Sequence, residues 1–360
     1  MNREIRLIKK KKIEVIWFDY FVNEPLEWSL RNERLFKFDL RKYIYMSPMV
    51  ILLIIYHYRK LRRLAYHQAI IDIFKPTLLI TGIHMNSDFW YLAKINKDIK
   101  FLAVQNSSQV YISSSKYIEP YFFPLRENFY TKSTGNIACF GRNDNQHFIE
   151  AGMSAEQLIP IGSIKLSFFK TYKSSRNKRN TYSLCIVADK TIREEYFTKI
   201  LVNIANYQRV NGMISIIVAM KSSDKSHKYS EDCEYIKDLL GNHIVFSSRD
   251  NIYSSYEAAD AAEVIIGSFS SLLIEMYSSG KKILTCNYTN IEEFDFNVGE
   301  ESLISSGDQF MFNKKLKALM ITNIEEYRKK NMVSMSNNNI CSSKLPSHAR
   351  LQNLIKEMIK

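Results

Sequence analysis

The chain is short of cysteine pairs. Five cysteines in 360 residues (Cys139, Cys185, Cys233, Cys286 and Cys341) lie more than forty residues apart and form no CxxC. That spacing excludes a zinc ribbon or a thioredoxin-type redox motif and reads as core or incidental thiols, which suits a reducing, cytoplasmic compartment. HExxH, DxD and paired Cys/His spacings are also missing, so no metal is expected, and neither GxxxxGK[ST] nor GxGxxG occurs. The longest apolar run, Met49 to Tyr56, falls well below the ~20 residues of a membrane-spanning helix. The N-terminus carries Arg3, Arg6 and Lys9 to Lys12 without a signal-type apolar core and cleavage site, so export is not expected.

What is present is positive charge and apolar bulk. A net charge of +13 admits nucleic acid, anionic lipid or a phosphorylated substrate as partner. The basic residues are scattered, with small clusters at 9–12, 59–63 and 173–179, and no nucleic-acid-binding signature accompanies them. That leaves an anionic membrane surface or a phosphorylated substrate. With 46% hydrophobic and 24% charged residues, the chain can bury sizeable cores, and its length suggests two domains.

Short apolar runs alternate with helix-length amphipathic stretches, the mark of an α/β protein with parallel sheets. Strands are predicted at 14–18, 77–81, 101–105 and 137–140, with helices over 49–74 and 87–95; Lys75-Pro76 should stop the first of these. After Gly162-Ser163 the composition turns polar and basic through residues 170 to 183, a linker. The second half restarts with strands at 183–188, 215–219, 244–246, 263–266 and 282–286, and helices near 193–208, 231–240 and 253–259. The predicted organisation is a first doubly wound domain over 1–168, a linker over 169–182, a second over 183–340 and a C-terminal helix over 341–360. Open α/β sheets bind ligands at the carboxyl ends of their strands, so function is sought in the loops there.

Four loops carry candidates. In GSFSSLLIEMYSSGKKIL, Gly267 permits close backbone approach, while Ser268, Ser270 and Ser271 supply hydroxyls at a helix N-terminus with free N–H groups. Anion binding and a plain serine cap both account for these residues. Glu275, four residues after Ser271, could reach a ribose or base, or be a solvated helix acid. After the strand TLLIT, His84 or Asp88 could act as a general base beside Asn86, though Asn86 or Ser87 could equally cap the helix, with Asp88 favoured by its dipole. Gln105-Asn106-Ser107-Ser108-Gln109 offers more hydrogen-bonding capacity than a turn requires and suits sugar hydroxyls; Arg142, after IACF, suits an anionic group.

In order along about residues 70 to 290, the segments KPTLLITGIHMNSDFWYLAK, KFLAVQNSSQ, ACFGRND, IPIGSIKLSFF and SSYEAADAAEVIIGSFSSLLIEMYSSGKKIL resemble the bacterial surface carbohydrate biosynthesis proteins. These are GT-B-type glycosyltransferases related to capsule and lipopolysaccharide transferases that use CMP-activated 2-keto-3-deoxy sugars such as Kdo and nonulosonic acids. The chain departs from the pattern at His84, where the family usually has an acid, at Met85, where it has an amide, and at Ser107, where it has glycine. The resemblance implies two Rossmann-like domains facing across a cleft, a CMP-sugar donor on the second and a glycan or lipid-linked oligosaccharide acceptor on the first. It implies catalysis by His84 or Asp88, acceptor contacts from Asn86, Gln105, Asn106 and Arg142, and donor nucleotide and phosphate on Gly267, Ser268, Ser270, Ser271 and Glu275, with Lys221 or Lys282 either assisting or standing as plain surface lysines. No cofactor beyond the nucleotide sugar and no metal are implied, and the expected place of work is the cytoplasm, with peripheral contact at the inner face of the cytoplasmic membrane left open. A UDP- or GDP-sugar transferase, a polyol-phosphate transferase and a non-catalytic glycan-assembly module are the alternatives on the same fold.

Overall fold

A computed structural model describes residues 15–17, 35–36, 62–107, 133–150, 152–173, 181–189, 192–248, 251, 253–305, 308–339 and 345–360. The apolar run at 49–56, the basic cluster at 9–12, Ser108, Gln109 and Cys341 lie outside them.

Among the described residues, two six-stranded sheets, each wholly parallel, organise the chain. The first comprises β1 (Val15–Trp17), β2 (Leu35–Phe36), β3 (Leu78–Thr81), β4 (Lys100–Val104), β5 (Asn136–Cys139) and β6 (Leu158–Pro160), in the order 2-1-3-4-5-6. The second comprises β7 (Tyr182–Val187), β8 (Ile216–Ala219), β9 (Val245–Ser247), β10 (Ala262–Gly267), β11 (Lys282–Cys286) and β12 (Leu303–Ile304), in the order 12-11-10-7-8-9. Both are doubly wound. In the second, the strand order reverses between β7 and β10, the kind of switch point at which such sheets open a crevice.

The helices in chain order are α1 (Arg62–Phe74), α2 (Ser87–Ile95), α3 (Asn145–Glu150), α4 (Ile164–Lys173), α5 (Glu195–Asn211) and α6 (His227–Leu240). They continue with α7 (Ser254–Asp260), α8 (Ser271–Ser278), α9 (Gln309–Ile321), α10 (Ile324–Asn338) and α11 (Ser347–Ile359). Helix α1 stops where Lys75-Pro76 predicts, and the stop is made by Lys75 itself, which turns left-handed (φ 43°) and donates its N–H to Ile71 O at 2.7 Å.

Continuous apolar strands are what a sheet covered on both faces needs, and alternate residues sort cleanly. Leu79, Phe101, Ala103 and Ile137 face Phe89, Trp90 and Leu92 of α2 and Ile70 and Ile71 of α1. Leu78, Ile80, Leu102 and Ala138 face Ile164 and Phe168 of α4 and Leu351, Ile355 and Met358 of α11. The C-terminal helix thus returns to the first sheet. Burial pushes the thiols of Cys139, Cys185 and Cys286 up to about 12, which makes them inert packing groups.

Among the described residues, α4 and the end of α10 both join the units. The predicted linker is helical up to Lys173: α4 places Ile164 and Phe168 in the first core and Leu166 and Phe169 in the second. The end of α10 docks on the first unit, where Asn337 O accepts the N–H groups of Arg142 (2.7 Å) and Asn143 (3.1 Å), and Asn339 Oδ1 accepts that of Ser163 (2.8 Å).

Candidate functional site

At the second switch point, β10 ends in Gly267, whose missing side chain matters. A Cβ there would lie 3.2 Å from Leu273 Cδ1 and 3.3 Å from both Cβ and O of Val187 at the end of β7. The next residue, Ser268, is buried and donates its hydroxyl to Asp189 Oδ2 at 3.1 Å. Asp189 also accepts from Tyr196 Oη at 3.0 Å and from Lys221 Nζ at 3.1 Å, so the loops after β7, β8 and β10 converge on one carboxylate. Asp189 and Lys221 therefore belong to this crevice. The sequence offers no motif that would single out Asp189, because only the strand order brings it beside Ser268.

Ser270 is the N-cap of α8 by position and backbone (φ −76°, ψ 132°), yet its hydroxyl makes no capping hydrogen bond. Ser271 is half-buried beside it in the first turn. The first N–H groups of α8 consequently have no side-chain acceptor at the cap, which is the electrostatic condition for holding an anion. Phe269, between the serines, stacks on Phe294 (4.8 Å, 20°) and leans on Tyr196 (5.2 Å), walling one side.

Glu275 points elsewhere. It is 3% exposed, with one carboxylate oxygen accepting from Ser163 Oγ and the other from Tyr256 Oη at 2.7 Å. Burial holds its pKa above the usual carboxylate range, opposed by those two hydroxyls and by the charge of Lys165. Both oxygens are committed, one to Ser163 at the junction with the first unit and the other to Tyr256 on α7 of its own unit. Lys282 is also committed: it is buried, bonded to Glu263 (2.8 Å) and to the carbonyls of Leu319 (2.7 Å) and Thr322 (3.1 Å), where it closes the C-terminal end of α9.

On the first unit, Gly82, Gln105, Asn106, Phe140, Ser163 and Lys165 line a small cavity at the carboxyl ends of β3 to β6. Gln105 is buried and spent on architecture: its Oε1 accepts from Phe140 N (2.7 Å), while its Nε2 donates to Ser107 O (3.0 Å) and to the Asp144 carboxylate. Asn106 is half-buried; its backbone O lies 3.5 Å from Lys165 Nζ. Asn86 caps α2, accepting from the N–H groups of Asp88 (3.0 Å) and Phe89 (3.3 Å), and Asp88 lies half-buried in the first turn. Arg142 is exposed and bonded to Asn337 O through its backbone N–H.

His84 is the unusual member of this set. It is 1% exposed, its carbonyl accepts from Trp90 Nε1 at 2.6 Å, and its ring meets Phe148 edge-on at 6.0 Å. Neither ring nitrogen has a partner in good hydrogen-bond geometry among the described residues, the nearby Asn106 side chain being close enough to act on the ring but not aligned with it. Burial drives its pKa from 6.5 down to about 4, with the Asn106 side chain pulling the other way, so at neutral pH it is an uncharged imidazole. The sign of the linkage follows. The unfolded chain binds this proton at pH 6.5 and the folded chain only near 4, so stability is complete above 6.5 and falls as the pH drops through that window. The expected loss is about 3 kcal/mol. Urea denaturation at pH 7 and pH ~4 should show a loss in His84→Leu that is smaller than the parent's by about this amount.

No family model matches the chain, and no curated protein matches it in sequence. Solved structures do match it in shape. S. aureus MnaA with UDP superposes with a TM-score of 0.60 at 14% identity, over 96% of both chains. UDP-GlcNAc 2-epimerase from Neisseria meningitidis bound to UDP-GlcNAc gives 0.56 at 12%, over 96% of this chain and 98% of that one. The wall teichoic acid polymerase TagF, as a histidine-to-asparagine variant with CDPG, gives 0.53 at 11%, over 99% and 93%. The fold is GT-B: two doubly wound units, each with a parallel sheet.

Proposed function

We propose that the chain is a nucleotide-sugar-dependent glycosyltransferase of bacterial surface-glycan assembly, acting on a glycan or lipid-linked acceptor at the inner face of an anionic membrane. The observation that carries the reading is the Ser270 cap: a hydroxyl not used for capping, at a helix N-terminus, at the switch point of a doubly wound sheet. The donor phosphate sits there, held by the Ser270 and Ser271 hydroxyls and the first N–H groups of α8. Lys221 and Ser268 are occupied by Asp189, so a phosphate draws on them only by competing with that carboxylate.

In the transfer, the acceptor hydroxyl gives its proton to a base and its oxygen bonds to the anomeric carbon. The bond from that carbon to the phosphate oxygen breaks, and its electron pair leaves on the phosphate, which the helix N-terminus stabilises. His84 is the proposed base: its neutral ring has the protonation state the step needs, and its unpartnered nitrogens are spare capacity beside a loop of polar residues. Asp88 is the other candidate. Asn106, Lys165 and Arg142 serve the acceptor, whereas Gln105 and Asn86 act through the loops they hold.

The resemblance favours a CMP-activated keto sugar. A UDP- or CDP-linked donor is the second reading, motivated by the UDP, UDP-GlcNAc and CDPG carried by the structural neighbours. Thermal-shift titration with CMP, CDP and UDP separates them, since the matching nucleotide alone gives a saturable rise. Ser270→Ala combined with Ser271→Ala should weaken that nucleotide about tenfold. Indifference to all three nucleotides would overturn the assignment of the site.

A further inference from the structure

Helix α9 carries two opposed stripes. Phe312, Leu316 and Leu319, at helical spacing, are buried against the second sheet. On the far side, Phe310, Lys314, Lys317 and Ile321 repeat the same spacing and face solvent, Phe310 at 70% and Ile321 at 78% exposure. Ile321 and Phe310 are among the most exposed large apolar side chains of the described residues. Lys315 is employed inside the fold, on the carbonyls of Glu300 (2.5 Å) and Leu303 (2.7 Å), whereas Lys314 and Lys317 make no hydrogen bond or ion pair among the described residues. The helix contains no acid.

The stripe ends at a cavity of about 530 Å³, of which Ile321 is part of the wall. Phe169, Met320 and Ile324 make its apolar surface, and Lys170 and Arg328 are among its cations. Its acids are already answered, Asp260 by Lys281 at 3.6 Å and Glu263 by Lys282 at 2.8 Å. Lys170, on the exposed side of α4, has no partner among the described residues.

We propose that this face docks on an anionic phospholipid bilayer, with α9 lying in the headgroup layer, Phe310 and Ile321 reaching the acyl boundary, and the cavity receiving a headgroup phosphate at Lys170. Apolar residues at both ends of a stripe with lysines between them match that interface, where cations meet lipid phosphates and apolar side chains leave water. A second copy of the chain is the poorer occupant, because a two-fold contact through this stripe would set lysines against lysines. The inference assigns a surface to the membrane contact proposed above. It is read without any nucleotide, so its failure leaves the donor site untouched.

Co-sedimentation with vesicles tests it. Partitioning should be about tenfold or more stronger into mixed phosphatidylcholine and phosphatidylglycerol vesicles than into phosphatidylcholine alone, and should weaken with salt. Lys314→Glu with Lys317→Glu should lower it about tenfold, Phe310→Ser with Ile321→Ser should lower it at high salt as well, and Lys170→Glu should abolish thermal stabilisation by soluble dihexanoylphosphatidylglycerol. Equal partitioning of the parent chain into both vesicles overturns the proposal whether or not the variants fold. So does parent-like binding by folded variants, or a dimer in sedimentation velocity that the stripe variants dissociate.

Discussion

Replacing His84 by glutamine lowers the rate of sugar transfer by about 10²–10⁴ and leaves nucleotide affinity within roughly twofold of the parent. The split follows from placement: His84 lies beyond β3 in the first unit, whereas the donor phosphate site proposed above is on α8 in the second. The pH profile adds a feature that a packing role would not produce. A free histidine base would put the acid limb of kcat/KM near 6.5; His84 puts it near 4, because burial has already expelled its proton. Steady-state rates of the parent, His84→Gln and Asp88→Asn across this range decide the matter. If Asp88→Asn abolishes transfer and His84→Gln does not, Asp88 is the base and His84 is a neutral core residue.

Gly141→Ala removes about 3 kcal/mol or more of stability. The new Cβ would lie 2.2 Å from Asn337 O and 2.7 Å from C and O of Asn338, all backbone atoms at the end of α10 with no rotamer by which to retreat. The same turn carries the Arg142 and Asn143 bonds to Asn337, so relieving the clash breaks the docking of α10 on the first unit. Gly212→Ala provides the control. Gly212 has a left-handed φ of 88° and nothing within 4 Å of its would-be Cβ, so it loses only the backbone term, about 1 kcal/mol. Urea midpoints of both variants make the comparison, and equal losses would remove the steric explanation.

Much of the fold was legible because parallel strands are buried on both faces. The runs TLLIT, FLAVQ, SLCIVA and SIIVA mark β3, β4, β7 and β8 closely, and 282–286 is β11 itself. The short strands β6 and β12 escaped, since Leu158–Pro160 and Leu303–Ile304 carry too few residues to form a pattern and are held by their neighbours. The site divides in the same way. Asn86 and Ser270 were visible as helix starts from local chemistry. Asp189, Ser163 and Tyr256 were not, because each acquires its role through a partner at least nineteen residues away: Ser268 for Asp189, and Glu275 for the other two. Glu275 shows the converse. Its position one turn after the serines is compatible with a ligand contact, but the direction of its side chain depends on what the first unit presents to it.

The return of α11 to the first sheet has a consequence for the order in which the protein is made. On the ribosome, every strand described in the first sheet emerges before any of the second, yet the face formed by Leu78, Ile80 and Leu102 has to wait for Leu351, Ile355 and Met358. The unit translated first is therefore completed only after the strands of the second have emerged. A nascent chain would keep this greasy face open, or lend it to a chaperone, until α11 emerges, and a chain cut before Ser347 would carry it uncovered and be prone to aggregate and to be degraded.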